Sequence, residues 1–102
     1  MKPLVNVSTF PSAKWSAEQK FGWGPIRDVT VPNIEPRHTS EYIVKKAKEF
    51  VDTLTDNDVV CILWEHGYTV AVVNLCTIRS IPCIYPVSDL GVFVQWRDYL
   101  TL

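Results

Sequence analysis

No apolar run in the chain approaches the ~18 residues that a membrane-spanning helix needs. The opening, Met1-Lys2-Pro3-Leu4-Val5-Asn6-Val7-Ser8, lacks the long apolar stretch of a secretory signal. The expectations are therefore no membrane partner and a cytoplasmic protein. Excess positive charge is missing too: ten Lys and Arg stand against eleven Asp and Glu, a formal charge of −1. Gripping duplex DNA or RNA needs a basic face, so a duplex binder is not expected. A short nucleotide stays open, because helix N-termini and backbone N–H groups hold phosphate without net charge.

Cysteine is scarce and unpatterned. Cys61, Cys76 and Cys83 are odd in number, with no C-x-x-C or Cys/His metal spacing. No metal and no cofactor are expected, and Cys61 and Cys83, inside apolar runs, read as small buried hydrophobes. G-x-G-x-x-G, Walker A and G-x-S-x-G are all absent, which removes dinucleotide, NTP and α/β-hydrolase readings. What is present is ordinary globular composition, 47% hydrophobic and 21% charged over 102 residues, enough for one domain spanning 1–102.

The pattern along the chain predicts β-α-β-α-β-α-β-β, a single α/β domain with a mostly parallel, Rossmann-like sheet. Leu4–Phe10 reads as strand one. Pro11–Ser16 is a loop whose Ser16 caps a short helix from Ala17 to about Phe21. Gly22, Gly24 and Pro25 stop it, and residues 26–31 form strand two. The clearest helix starts near Ser40, with Ile43, Ala47, Phe50, Val51 and Leu54 on one face. The pairs Glu41–Lys45, Lys45–Glu49 and Lys48–Asp52 lie four apart on its solvated side. Val59–Trp64 is a continuous apolar run suited to a central parallel strand.

Residues 68–80 are two-sided. Thr69-Val70-Ala71-Val72-Val73 has strand propensity, with Glu65-His66-Gly67 as a hairpin turn, while Val72, Leu75, Cys76 and Ile78 fit a buried helix. The helix is favoured because it preserves the right-handed β-α-β crossover. Ile81–Tyr85 is then strand four, left by Pro86–Asp89, and Val92–Trp96 is a final edge strand.

In an open α/β sheet, ligands bind beyond the carboxyl ends of the strands. That rule selects Ser8, Thr9, Ser12, Lys14 and Trp15 after strand one. It selects Glu65, His66, Gly67, Tyr68 and Thr69 after strand three, and Ser88 after strand four. Ser8, Thr9 and Ser12 either hold a ligand or satisfy loop backbone. Lys14 could meet a phosphate, and Trp15 either stacks on a base or anchors its loop. His66 is a general acid/base candidate, and Gly67 permits close backbone approach. Trp15, Trp23 and Trp96 would form a partner surface if exposed.

Asn6-Val7-Ser8-Thr9-Phe10-Pro11-Ser12, then Lys14-Trp15-Ser16 and Glu18-Gln19, form an opening of the type N-x-S-x-x-P-S-x-x-W-x-x-x-Q. Residues 28–36, Gly67-Tyr68-Thr69 before an apolar segment, and Tyr85-Pro86-Val87-Ser88 follow in turn. Together these resemble small CRISPR-associated, Rossmann-like proteins related to the CARF and ring-nuclease families. The resemblance implies a homodimer that binds a cyclic oligoadenylate across its two-fold axis. It also implies metal-independent cleavage, in which a ribose 2′-OH attacks the adjacent phosphate and leaves a 2′,3′-cyclic phosphate. On that reading Ser8, Thr9 and Ser12 hold phosphate, Lys14 neutralises it, His66 transfers the proton, and Trp15 or Tyr68 stacks. Two alternatives stand beside it: a non-catalytic nucleotide sensor or sponge, and a dimeric interaction protein with no nucleotide ligand.

Overall fold

The computed structural model describes residues 1–99. Among these the chain forms β1 (Leu4–Val7), a 3-10 turn (Ser12–Lys14), α1 (Ala17–Lys20), β2 (Ile26–Asp28) and α2 (Ser40–Val51). There follow β3 (Val59–Ile62), α3 (His66–Ile78), β4 (Cys83–Asp89) and β5 (Val92–Asp98). The strands make one five-stranded sheet in the spatial order β2-β1-β3-β4-β5. The first four are parallel, and β5 closes the sheet antiparallel to β4. The fold is thus α/β, but the sheet is mixed and its spatial order departs from the order along the chain.

Alternation along the strands divides the core into two layers. Val5, Val7, Val60 and Ile62 face α2 and α3, where they meet Ala47, Phe50, Val51, Val72 and Cys76. Leu4, Val59, Cys61 and Ile84 face the other way, against Trp15, with Trp23, Ile26 and Trp96 partly buried around them. The first layer carries two full helices; the second carries only α1, the 3-10 turn and the tryptophans.

Local signals account for the helices. Thr39 accepts from the Tyr42 N–H at 3.2 Å and starts α2, while Ser16 accepts from Gln19 at 3.2 Å and starts α1, as its place in the sequence suggests. The Arg79 guanidinium donates to the carbonyls of Val51 (2.7 Å) and Leu54 (3.3 Å), tying the end of α3 to the end of α2. A cation is favoured there by the α2 dipole as well as by the orphan carbonyls. On the solvated side of α2 the expected four-apart pairs do not form. The ion pair found among the described residues is Lys46–Glu49 at 3.6 Å, three apart and exposed enough to contribute little.

Residues 66–78 resolve as a helix, so Glu65-His66-Gly67 is its entry and not a hairpin turn. Three strand limits also change. β1 stops at Val7, β2 at Asp28 and β3 at Ile62, each shorter than the apolar run suggests, because the chain turns to make side-chain and loop bonds there. β4 is longer, passing through Pro86 to Asp89. Its pairing with β3 ends at Ile84, and from Tyr85 onward its partner is β5 alone. Proline belongs on such a half-paired stretch, where a missing N–H costs no second ladder. The hairpin turns through Leu90 and Gly91, both at positive φ, the conformation of a two-residue primed turn.

A one-residue slip between Val87 and Ser88 makes a bulge in the β4–β5 ladder. It brings Phe93 and Trp96 to the same side, with ring centroids 5.3 Å apart. Trp96 then meets Trp15 edge-on at 5.5 Å and Trp23 at 6.1 Å. The three tryptophans therefore cap the second layer and do not form an exposed partner surface.

Candidate functional site

β1 lies between β2 and β3, and the chain leaves β1 toward one neighbour and later returns past it to the other. The connection to β2 runs over the tryptophan layer, and those through α2 and α3 run over the opposite layer. The carboxyl ends of β1 and β3 are where these directions part, the place where open α/β sheets leave a crevice. Val7 pairs with Ile62 there, and the Leu63 N–H donates to the Val7 carbonyl at 3.1 Å. Ser8 and Thr9 thus leave β1 beside the segment from Leu63 to His66 that leaves β3.

Around Ser8 is a polar network that the sequence reading does not single out. Asn6, fully buried, donates to the Phe10 carbonyl at 3.0 Å and to Asp28 at 2.9 Å. The Ser8 hydroxyl donates to the Asn6 amide oxygen at 2.8 Å and accepts from the Phe10 N–H at 3.2 Å. Asp28 also accepts from the Ser12 N–H (3.2 Å to one oxygen, 3.3 Å to the other) and from the Ser12 hydroxyl at 3.1 Å. The signal was an amide inside the apolar alternation Leu4-Val5-Asn6-Val7, since a buried amide requires partners.

Asp28 is drawn in two directions. Its slight burial alone would raise its pKa, but the bonds from Asn6 and from both Ser12 donors outweigh that and hold the carboxyl below its ordinary value. A depressed folded pKa stabilises the fold above the unfolded carboxylate value, and that contribution is lost as pH falls through the folded one. Asp28→Ala should therefore cost about 1–2 kcal/mol at neutral pH, where the buried Asn6 amide loses an acceptor. The gap in urea midpoints between parent and variant should narrow as pH falls below the unfolded carboxylate value, about 3.9, and on through the folded one. A gap that stays constant with pH would assign the loss to packing and not to the carboxylate.

Beyond the end of β3, Glu65 caps α3 by accepting from the Tyr68 N–H at 2.8 Å. The first-turn N–H groups of His66 and Gly67 have no carbonyl within the helix to reach. His66 is exposed at the first position of α3. Gly67 lies close to the chain itself: a Cβ there would meet the Glu65 carboxylate at 3.3 Å and Ile43 at 3.6 Å. The Thr69 hydroxyl accepts from the Trp64 N–H at 3.3 Å, and the Trp64 indole donates to the Pro32 carbonyl at 2.7 Å.

The structure thus places Ser8 and Thr9 at the same end of the sheet as Glu65, His66 and Gly67, on the exits of the neighbouring strands β1 and β3. Ser12 is adjacent through Asp28, with its hydroxyl already engaged. Lys14 is exposed at the end of the 3-10 turn, without an ion-pair partner among the described residues. Three residues take other roles. Trp15 is 5% exposed, packed on Trp96 and bonded through its indole to the Phe10 carbonyl at 3.3 Å, so its faces are not free to stack on a base. Tyr68 is 2% exposed and part of the helix-side core, which removes it as a stacking surface. Ser88 lies within β4, four residues beyond the last β3 pairing or about 13 Å along the strand, on the projecting hairpin.

The cysteines are free and buried. Burial pushes the Cys61 thiol up to about 12, and contact with Cys76 together with burial pushes Cys83 upward as well. Neither has the lowered pKa of a nucleophile. Among the described residues no cluster of three or more His, Cys, Asp or Glu is placed to hold a metal ion, and no helix is long and apolar enough to cross a membrane. No protein-family model, curated protein or solved structure matches the chain.

Proposed function

We propose that this chain is a Rossmann-like, CARF-related cytoplasmic protein of CRISPR defence. It binds cyclic oligoadenylate as a homodimer and cleaves it without metal, as a ring nuclease. The observation that carries the reading is that the neighbouring strands β1 and β3 end together, so that the Ser8–Thr9 exit and the Glu65–His66–Gly67 entry of α3 lie at one end of the sheet, at its switch point. In-line attack by a ribose 2′-OH asks the protein to orient the reacting oxygens and stabilise charge on the phosphate. The N–H groups of His66 and Gly67 and the Thr9 hydroxyl would hold phosphate oxygens, Lys14 would add positive charge, and His66 would move the proton. Ser8 and Ser12 would shape the loop through Asn6 and Asp28.

One observation favours the sensor or sponge. The hydroxyls of Ser8 and Ser12 are already bonded within the chain, and the Glu65 carboxylate occupies part of the α3 N-terminus that an anion would use. The deciding experiment incubates the purified protein in EDTA with cyclic tri-, tetra- and hexa-adenylate and separates the nucleotides by chromatography. Linear products ending in 2′,3′-cyclic phosphate are expected. Intact rings that co-elute with the protein would establish the sensor, and neither cleavage nor binding would end both nucleotide readings.

A further inference from the structure

On the helix side of the sheet, apart from the residues at the β1 and β3 exits, a cleft of about 400 Å³ opens between α2 and the segment that follows β2. Volumes of this order accommodate small organic molecules. Its walls include apolar side chains, Val31 and Pro32 on one side and Phe50 on the other, with the hydroxyls of Thr30 and Thr53 beside them. The Pro32 wall is fixed, because its carbonyl accepts the Trp64 indole N–H at 2.7 Å.

Two cations, Arg27 and Lys46, and one carboxylate, Glu49, line the cleft, which leaves it a net positive charge. Arg27 pairs in register with Val5, whose side chain belongs to the helix-side core, so Arg27 projects to that same side. Lys46 is engaged by Glu49 at 3.6 Å, whereas Arg27 has no ion-pair partner among the described residues. Tyr68 also lines the cleft. Its ring is packed in the core, its backbone N–H donates to Glu65, and its hydroxyl has no hydrogen-bond partner among the described residues. A hydroxyl that reaches the cleft without a partner in the chain can donate to a ligand acceptor there. Burial, with Cys76 and Glu49 nearby, pushes the phenol up to about 12, so it remains a donor at neutral pH.

We infer that this cleft binds a small organic anion, with its apolar body against Val31, Pro32 and Phe50 and its carboxylate or phosphate oxygens held by Arg27, Lys46 and the Tyr68 hydroxyl. Arg27 supplies the free charge and the planar fork that both kinds of oxyanion fit. The unpartnered phenol supplies a neutral donor whose position is fixed by packing. The inference does not rest on the nucleotide reading.

The test titrates the isotope-labelled full chain with benzoate, phenyl phosphate and inorganic phosphate. It follows the Trp64 indole N–H and the amides of residues 29–31 by NMR. At least one organic anion should give saturable shifts there and bind about tenfold more tightly than inorganic phosphate, since the apolar body adds burial. Whether benzoate or phenyl phosphate binds better names the anionic group. Arg27→Gln should weaken binding about tenfold. Tyr68→Phe, which preserves ring packing, should weaken it roughly three- to tenfold with the rest of the spectrum unchanged. The inference is overturned if neither organic anion moves these resonances at about 10 mM, well into the millimolar range. It is equally overturned if inorganic phosphate binds as well as both, or if Arg27→Gln binds like the parent.

Discussion

Trp15→Ala should destabilise the fold by about 3–5 kcal/mol, the usual cost of deleting a buried aromatic, and should lower the melting temperature by about 15–30 °C. The size follows from the thinness of the layer that Trp15 covers. The opposite layer has two helices and a long set of apolar contacts, whereas this one rests on Leu4, Val59, Cys61 and Ile84 beneath Trp15, with Trp23, Ile26 and Trp96 at its margin. Removing the indole leaves a cavity that α1, four residues long, cannot fill by shifting. It also removes the edge contact to Trp96 and the bond from the indole N–H to Phe10 that ties the loop after β1 to the layer. For a domain whose net stability is of the order of 5–15 kcal/mol, that is a large share. Phe21 is the control: it is 86% exposed, and Phe21→Ala should change stability by no more than about 0.5 kcal/mol. Thermal unfolding followed by circular dichroism separates the two, and comparable losses would mean that Trp15 does not anchor its layer.

How far the sequence discloses this arrangement differs element by element. α2 was legible because its apolar positions recur at the helical period and Thr39 caps it, so local and tertiary preferences agree. α3 was ambiguous because packing on both the sheet and α2 makes it apolar nearly all round, and such a helix has the composition of a strand. Its helical start depends on Glu65 reaching the Tyr68 N–H, which residue order permits but does not require. β4 was cut short at Pro86 because the prohibition on strand proline lapses where a strand has outrun one neighbour, and that depends on strand lengths in the folded sheet. The site divides in the same way. Strand direction and the switch-point rule place Ser8, Thr9 and His66 just beyond the carboxyl ends of β1 and β3, since both follow from topology. The partners of a given side chain do not follow from topology. The commitment of Ser8 and Ser12 to Asn6 and Asp28, and of Trp15 and Tyr68 to the core, appears only once the layers are assembled.

His66→Ala should slow cyclic oligoadenylate cleavage by about 10²–10⁴-fold, the range typical of a lost general acid or base, while binding stays within about twofold. This prediction rests on the proposed ring-nuclease activity, and the division between rate and binding is its distinctive part. His66 is exposed at the first position of α3, where a side-chain truncation removes no core packing, so a fall in rate cannot be attributed to unfolding. Its backbone N–H survives the substitution, and with Gly67 it would still be available to a phosphate. Glu65 continues to cap the helix through Tyr68, so the orientation of those N–H groups should be kept. What the variant loses is the imidazole, and a loss confined to kcat under single-turnover conditions would place that ring at the proton transfer. A variant that binds about tenfold more weakly yet cleaves bound nucleotide at the parental rate would instead make His66 a phosphate contact. Equal rate and equal binding would remove it from the site and leave Lys14 and Thr9, the remaining exposed polar side chains of the β1 exit, as the groups to substitute next.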